Sequence, residues 1–277
     1  MCLAAVAIGQ SARFPWMLAS NRDEFHFRAT LPLAWWPAEN DTHKILGGRD
    51  LGAGGSWLAV RADGRLALVT NVREPGRFDP AAPSRGELVV QGLQAGPADT
   101  AWLQSISTAP RNGFNLMLAD LRTDAAAWAT NRPAQQRHLA AGIYGLSNAS
   151  LDTPWPKVSR LKQTLAALAV DGASDITASA EDIALEAFAA LADRSYAADD
   201  LLPHTGIAIE RERQLSPLFI HIPATSQTSA YGTRCSTVVL VEDVAAERRV
   251  HVFERRFDAT GRCEGETFEQ FNLAAAT

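Results

Sequence analysis

The chain begins MCLAAVAIGQSARFPWMLASNRDEF (residues 1–25), and the reading of this stretch decides the fold. Residues 2–9, CLAAVAIG, are a short apolar run bounded by polar residues, the pattern of a buried strand. Residues 16–20, WMLAS, read as a second strand. If the two pair as a hairpin, Asn21-Arg22-Asp23-Glu24, which follows the second strand, lies close to Cys2.

Outward from there, SWLAVRA (56–62) and RLALVTN (65–71) flank Asp63-Gly64, the strongest two-residue hairpin signal. Further strands are predicted at 114–120 and 125–130, and a C-terminal hairpin at 235–243 and 248–257. Helices fall between the strand groups. Ser84-Arg85-Gly86-Glu87 reads as a capping box opening a helix over 85–95, and Pro97 as the start of another through about 107. Segment 156–170 carries Val158, Leu161, Leu165 and Leu168 on one face, and 180–193 has acids in its first turn, where the helix dipole favours them. Strands first, helices in the middle and strands last, without βαβ alternation, predict an α+β layered domain, one over 1–277.

Composition narrows the function. Across 277 residues, Lys+Arg 26 against Asp+Glu 31 give a net charge of −5, which argues against a nucleic-acid binder. No stretch reaches the roughly 18–20 apolar residues of a membrane helix. The N-terminus lacks the basic segment of a signal peptide, and Cys2 precedes the apolar run where a lipoprotein cysteine would follow it. Cys2, Cys235 and Cys263 cannot all pair and show no C-x-x-C spacing, so a reducing cytoplasm is the expected compartment.

Neither phosphate-loop, zinc-protease nor nucleophile-elbow motifs occur, and histidines 26, 43, 138, 204, 221 and 251 have no ligand-like spacing, so no metal is expected. Gly52-Ala53-Gly54-Gly55 precedes a strand without a following lysine and reads as a tight bend beside a close approach. Cys2 differs because of its position. Loss of Met1 would give residue 2 a thiol of pKa about 8.5 and, on the same carbon, an α-amine of pKa about 7.7–8.0. One residue then supplies nucleophile and base. The bland alternative is a small buried hydrophobe at a strand start. Arg22 would favour a thiolate and Asp23 could hold the amine, although Asn21 to Glu24 also suits a polar turn. Asn71, at a strand end, and Asn148 could each donate to an oxyanion or simply serve as turn residues. Arg234 could project over a site or pair at the surface. Trp35, Trp36 and Trp57 could line an apolar ligand cleft or belong to core and rim.

Met1-Cys2, Asn21-Arg22-Asp23-Glu24, Gly47-Gly48-Arg49-Asp50, Gly55-Ser56-Trp57, Thr70-Asn71-Val72-Arg73 and Tyr231-Gly232-Thr233-Arg234, in this order over nearly the whole chain, resemble the NRDE (transport and Golgi organisation protein 2) family. That family looks like a branch of the N-terminal nucleophile hydrolases, near the choloylglycine hydrolases and penicillin V acylases. The resemblance implies a four-layer αββα sandwich and an amide- or thioester-cleaving site on a small molecule. Cys2 would be the nucleophile, Arg22 and Asp23 its supports, Asn71 an oxyanion donor, Asn148 a second site asparagine and Arg234 a late arginine near the thiol. Hydrolysis of this kind needs no cofactor. Glu24 departs from the acylase pattern and leaves the substrate class open. The family also implies an alternative, a non-catalytic haem or lipid/acyl-CoA carrier.

Overall fold

In the computed structural model, which describes residues 2–37, 44–174, 178–245 and 247–273, the strands form two antiparallel sheets. The order along the chain is β1 (Cys2–Ile8), β2 (Trp16–Phe25), β3 (Thr30–Trp35), β4 (Ile45–Asp50), β5 (Leu58–Arg61) and β6 (Arg65–Asn71). Then come α1 (Gly86–Ala95), α2 (Thr100–Thr108), β7 (Phe114–Asp120), β8 (Ala125–Asn131), β9 (Ala134–Leu139) and β10 (Gly142–Leu146). The chain continues with α3 (Pro156–Ser174), α4 (Ala180–Leu191), α5 (Ile209–Gln214), β11 (His221–Ile222), β12 (Tyr231–Val244), β13 (Glu247–Phe257) and β14 (Cys263–Leu273).

The first sheet runs β10-β1-β2-β12-β13-β14, with β11 on β12, and the second is the meander β3 to β9. Alternation along β1 and β2 explains the layering. Val6, Ile8, Trp16 and Leu18 point into a core shared with Leu66, Leu68, Met117 and Trp128 of the second sheet. Leu3, Ala5, Met17 and Ala19 point the other way, onto Leu161 and Leu165 of α3 and Ile183 and Phe188 of α4. On the far side α1 and α2 lay Leu88, Val89, Leu93 and Leu103 over Val69, Leu116 and Leu118. The result is an αββα sandwich. β1 is nearly all apolar because both of its faces are buried.

Several boundaries move. β2 continues to Phe25, so Asn21 to Glu24 lie within a strand held between β1 and β12 and not in a turn. Ser84 forms no capping box. Its hydroxyl takes the Gly86 N–H at 3.2 Å, Arg85 has helical backbone angles, and Glu87 turns to Arg111 at 3.3 Å. The next helix starts at Thr100 rather than Pro97 because Asp99 accepts the Trp102 N–H at 2.9 Å, an N-cap proline lacks. The expected bend at 52–55 is present, with Gly54 and Gly55 in the left-handed region. A side chain on Gly55 would collide with the Gly86 carbonyl, so the bend packs directly on the start of α1.

Candidate functional site

The β1/β2 register sets Cys2 opposite Arg22, and β12 carries Cys235 opposite Arg22 on the other side. By alternation Arg22 shares the inter-sheet face of Cys2, whereas Asn21 and Asp23 belong to the helix-side face. Adjacent residues of one strand therefore reach residue 2 from two directions. The thiol opens into a largely polar pocket of about 420 Å³, whose walls include Arg22, Asp23, Glu24, Trp57, Asn71 and Arg85.

Each wall has a local cause. Gly48 has no side chain because the Trp57 ring occupies that space. Trp57 in turn lies under the Arg22 guanidinium, 4.2 Å from ring centroid to Cζ. Asp50 stands 3.8 Å from Arg22 Nη2 and 2.7 Å from Arg28 Nε. Arg22 is 5% exposed, and its buried Nη1 finds no hydrogen-bond acceptor among the described residues. Asp23 Oδ1 accepts from the Thr233 hydroxyl at 2.8 Å. Glu24 accepts from the Phe25 N–H at 2.8 Å and lies 3.9 Å from Arg28. Asn21 faces away from the pocket: its amide donates to Leu191 and Leu218 carbonyls at 2.9 Å each and accepts from Ser236 at 2.5 Å.

The two asparagines do different things. Asn71 lines the pocket beside Cys2. Asn148 does not; its amide donates to the Asn71 carbonyl at 2.8 Å, and its Oδ1 accepts from Ser147, whose hydroxyl also reaches the Cys2 carbonyl at 3.1 Å. It braces Asn71 against Cys2 instead of facing a ligand. Arg234 is also displaced. The strand register slips between Thr233 and Cys235, and this bulge turns Arg234 out of the ladder. It donates to Phe25 and Arg28 carbonyls at 3.1 and 3.0 Å and lines a smaller, neighbouring cavity beyond Arg22 and Trp57. Of the three tryptophans only Trp57 reaches the pocket. Trp35 bonds Glu269 and packs on Phe271, and Trp36 bonds the Gly47 carbonyl beneath Arg49, because both stand at the end of β3 away from Thr30, the residue that pairs with Asp50 of the pocket.

Burial pushes the Cys2 thiol above its ordinary range, and Asp23 adds to this; Arg22 and a hydrogen bond from the Asp23 backbone work against it. The lowering influence of Arg22 is thus outweighed by burial. Burial also raises the Asp23 carboxyl, chiefly against the pull of Lys157. Removal of Met1 concerns a residue outside the described ones, as does His43.

Two cations of the site escape sequence reading. Arg85, at the start of α1, lines the pocket, and burial lowers it against the opposing influence of Cys2 and Glu24. Lys157, fully buried at the head of α3, is pulled down to about 8 by desolvation, with Asp23 the strongest opposing influence. A single lysine ahead of an amphipathic face looks like an ordinary polar position, and only the fold turns it inward. Among the described residues no helix is long and apolar enough to cross a membrane.

A family model described as Transport and Golgi organisation 2 matches residues 1–259. The Transport and Golgi organization 2 homolog of Mus musculus is 32% identical over 265 residues, covering 91% of each chain. The Bos taurus homolog is 34% identical over 236 residues, covering 82% of each. Among solved structures, a mutant of the conjugated bile acid hydrolase of Clostridium perfringens aligns over 99% of this chain and 98% of its own, at 8% identity and a TM-score of 0.43.

Proposed function

We propose that this chain, which belongs to the Transport and Golgi organisation 2 family, is a hydrolase that attacks the amide or thioester carbonyl of a small molecule with the Cys2 sulfur. The observation that carries the reading is the β1/β2 register, which sets Cys2 opposite Arg22 at the floor of a polar pocket. With Met1 removed, the α-amine of residue 2 takes the thiol proton. The sulfur adds to the carbonyl carbon, and the Asn71 amide donates to the oxyanion that forms. Collapse expels the amine or thiol leaving group, which receives the proton back from the α-ammonium. Water, deprotonated by the same amine, then cleaves the acyl-Cys2 bond and frees the carboxylic acid. Arg22 favours the attacking thiolate, and Asp23 holds the ammonium. The test is turnover of simple acyl thioesters and N-acyl amines by wild-type protein and Cys2→Ala, with intact-mass spectrometry for loss of Met1 and for a trapped acyl group. Loss of turnover with ligand affinity retained is expected; equal turnover in the variant would end the hydrolase reading.

A carrier is the second reading, and one observation favours a lipid cargo for it. A groove of about 380 Å³ between α4 and β13–β14 is lined by Leu185, Phe188, Phe253 and Phe268. Haem fits it less well, because no His, Cys, Met or Tyr is among the lining residues to serve as an axial ligand. Binding of a fluorescent fatty acid that Leu185→Asp abolishes and Cys2→Ala leaves intact would support the carrier.

A further inference from the structure

α3 opens with Pro156-Lys157, and the lysine turns inward until only 2% of it is exposed. A cation at a helix N-terminus already opposes the dipole. Burying its ammonium as well is costly without a counter-charge. The charged or titratable groups that act on it are Asp23 of β2, Cys2 of β1, Arg73 after β6 and Glu212 of α5. Glu212 is engaged elsewhere, 2.5 Å from Arg73 and accepting the Thr205 N–H at 3.0 Å. Arg73 has the same sign as the lysine, and the Cys2 thiol is held toward its neutral form. That leaves Asp23.

Hydrogen bonds tie Lys157 and β2 to one segment. Lys157 Nζ donates to the Leu215 carbonyl at 3.1 Å, and Asn21 Nδ2 donates to Leu218, three residues on, at 2.9 Å. The segment 215–218 therefore touches both α3 and β2, on the face of β2 that Asp23 shares with Asn21. We propose that Lys157 is a positioning residue of the Cys2 site: from the helix layer it holds Asp23 ionised and oriented toward residue 2. The proposal rests on the role given to Asp23 above.

The experiment is a pH titration of [13Cγ]aspartate-labelled protein by NMR, with the Asp23 resonance identified by its loss in Asp23→Asn. In Lys157→Met the Asp23 midpoint should rise by about 1–3 pH units, and Lys157→Arg should return it toward the wild-type position. A lysine that only fills space would change thermal stability and leave the midpoint in place; that result overturns the proposal. If Lys157→Met does not fold, Lys157→Met/Asp23→Asn should, since both buried charges are gone, and its failure to fold would equally count against the pairing. Asp23 titration needs no turnover, so an inactive protein would end the hydrolase reading without touching this measurement.

Discussion

The first sheet buries charge at both of its ends, and the two ends differ in how the arginine is used. At the end away from Cys2, Arg13 donates to Glu242 through Nε and Nη2 at 3.0 and 2.8 Å and to the Ala178 carbonyl through Nη1 at 2.7 Å. His251 completes that cluster 3.1 Å from Glu242. At the Cys2 end, Arg22 is more deeply buried than Arg13, yet it stacks on Trp57 and makes only a long ion pair. A structural ion cluster uses up its guanidinium; a site keeps donors in reserve and accepts the loss in stability.

This contrast can be broken or sharpened. The largest effect concerns pH. Lys157 sits near 8 in the folded chain against an ordinary 10.5. Between those values the unfolded chain holds a proton that the folded chain has lost, so this lysine's cost is full below pH 8 and fades as pH rises. In urea melts, wild type should gain up to about 3 kcal/mol relative to Lys157→Met between pH 7 and 10; a flat difference would place the lysine outside the charged network. Next, Glu242→Ala should cost about 2–3 kcal/mol by stranding Arg13 and His251, with Cys2 alkylation by iodoacetamide unchanged. Equal damage to labelling would erase the distinction between the ends. Arg22→Met should show the reverse, stability unchanged or slightly higher and Cys2 labelling near pH 7 slower by about tenfold, because the charge that favours the thiolate is lost. The smallest effect is that of Asn148→Ala, about 1 kcal/mol of stability and a modest fall in turnover, because Asn71 loses its brace but not its side chain.

Much of this arrangement is legible in the sequence where one residue pattern has one structural meaning. The apolar run after Met1, Asp63-Gly64, the face of α3, and the two C-terminal strands occur as expected. β3 and β9 are missed because both are edge strands of the second sheet: Pro32 sits in an irregular register of one, and the other, AQQRHL, exposes most of its side chains. β4 hides behind Gly47 and Gly48, which are there to admit Ala59 and Trp57. In the site, pairing of β1 with β2 brings Cys2, Arg22 and Asp23 together as the sequence indicates, and Asn71 joins them. Arg234 departs through a bulge that no periodicity announces, and Asn148 through a hydrogen bond to backbone. Lys157 reaches the site only through packing of α3 on the sheet.

The last strand bears on how the protein behaves in crowded solution. Among the described residues β14 pairs only with β13, so one row of its backbone groups is left at the margin of the sheet. Such a margin can template strand-by-strand aggregation, all the more with Phe268 exposed on it. Glu264, Glu266 and Glu269 set carboxylates along the same strand, Glu266 paired with Arg255 and Glu269 accepting from Trp35, and an incoming copy would have to desolvate or confront them. Residues 263–273 lie beyond the part of the chain that matches the family model. Colloidal stability therefore depends on a strand remote from Cys2, and neutralising those glutamates would sacrifice solubility before it touched the pocket.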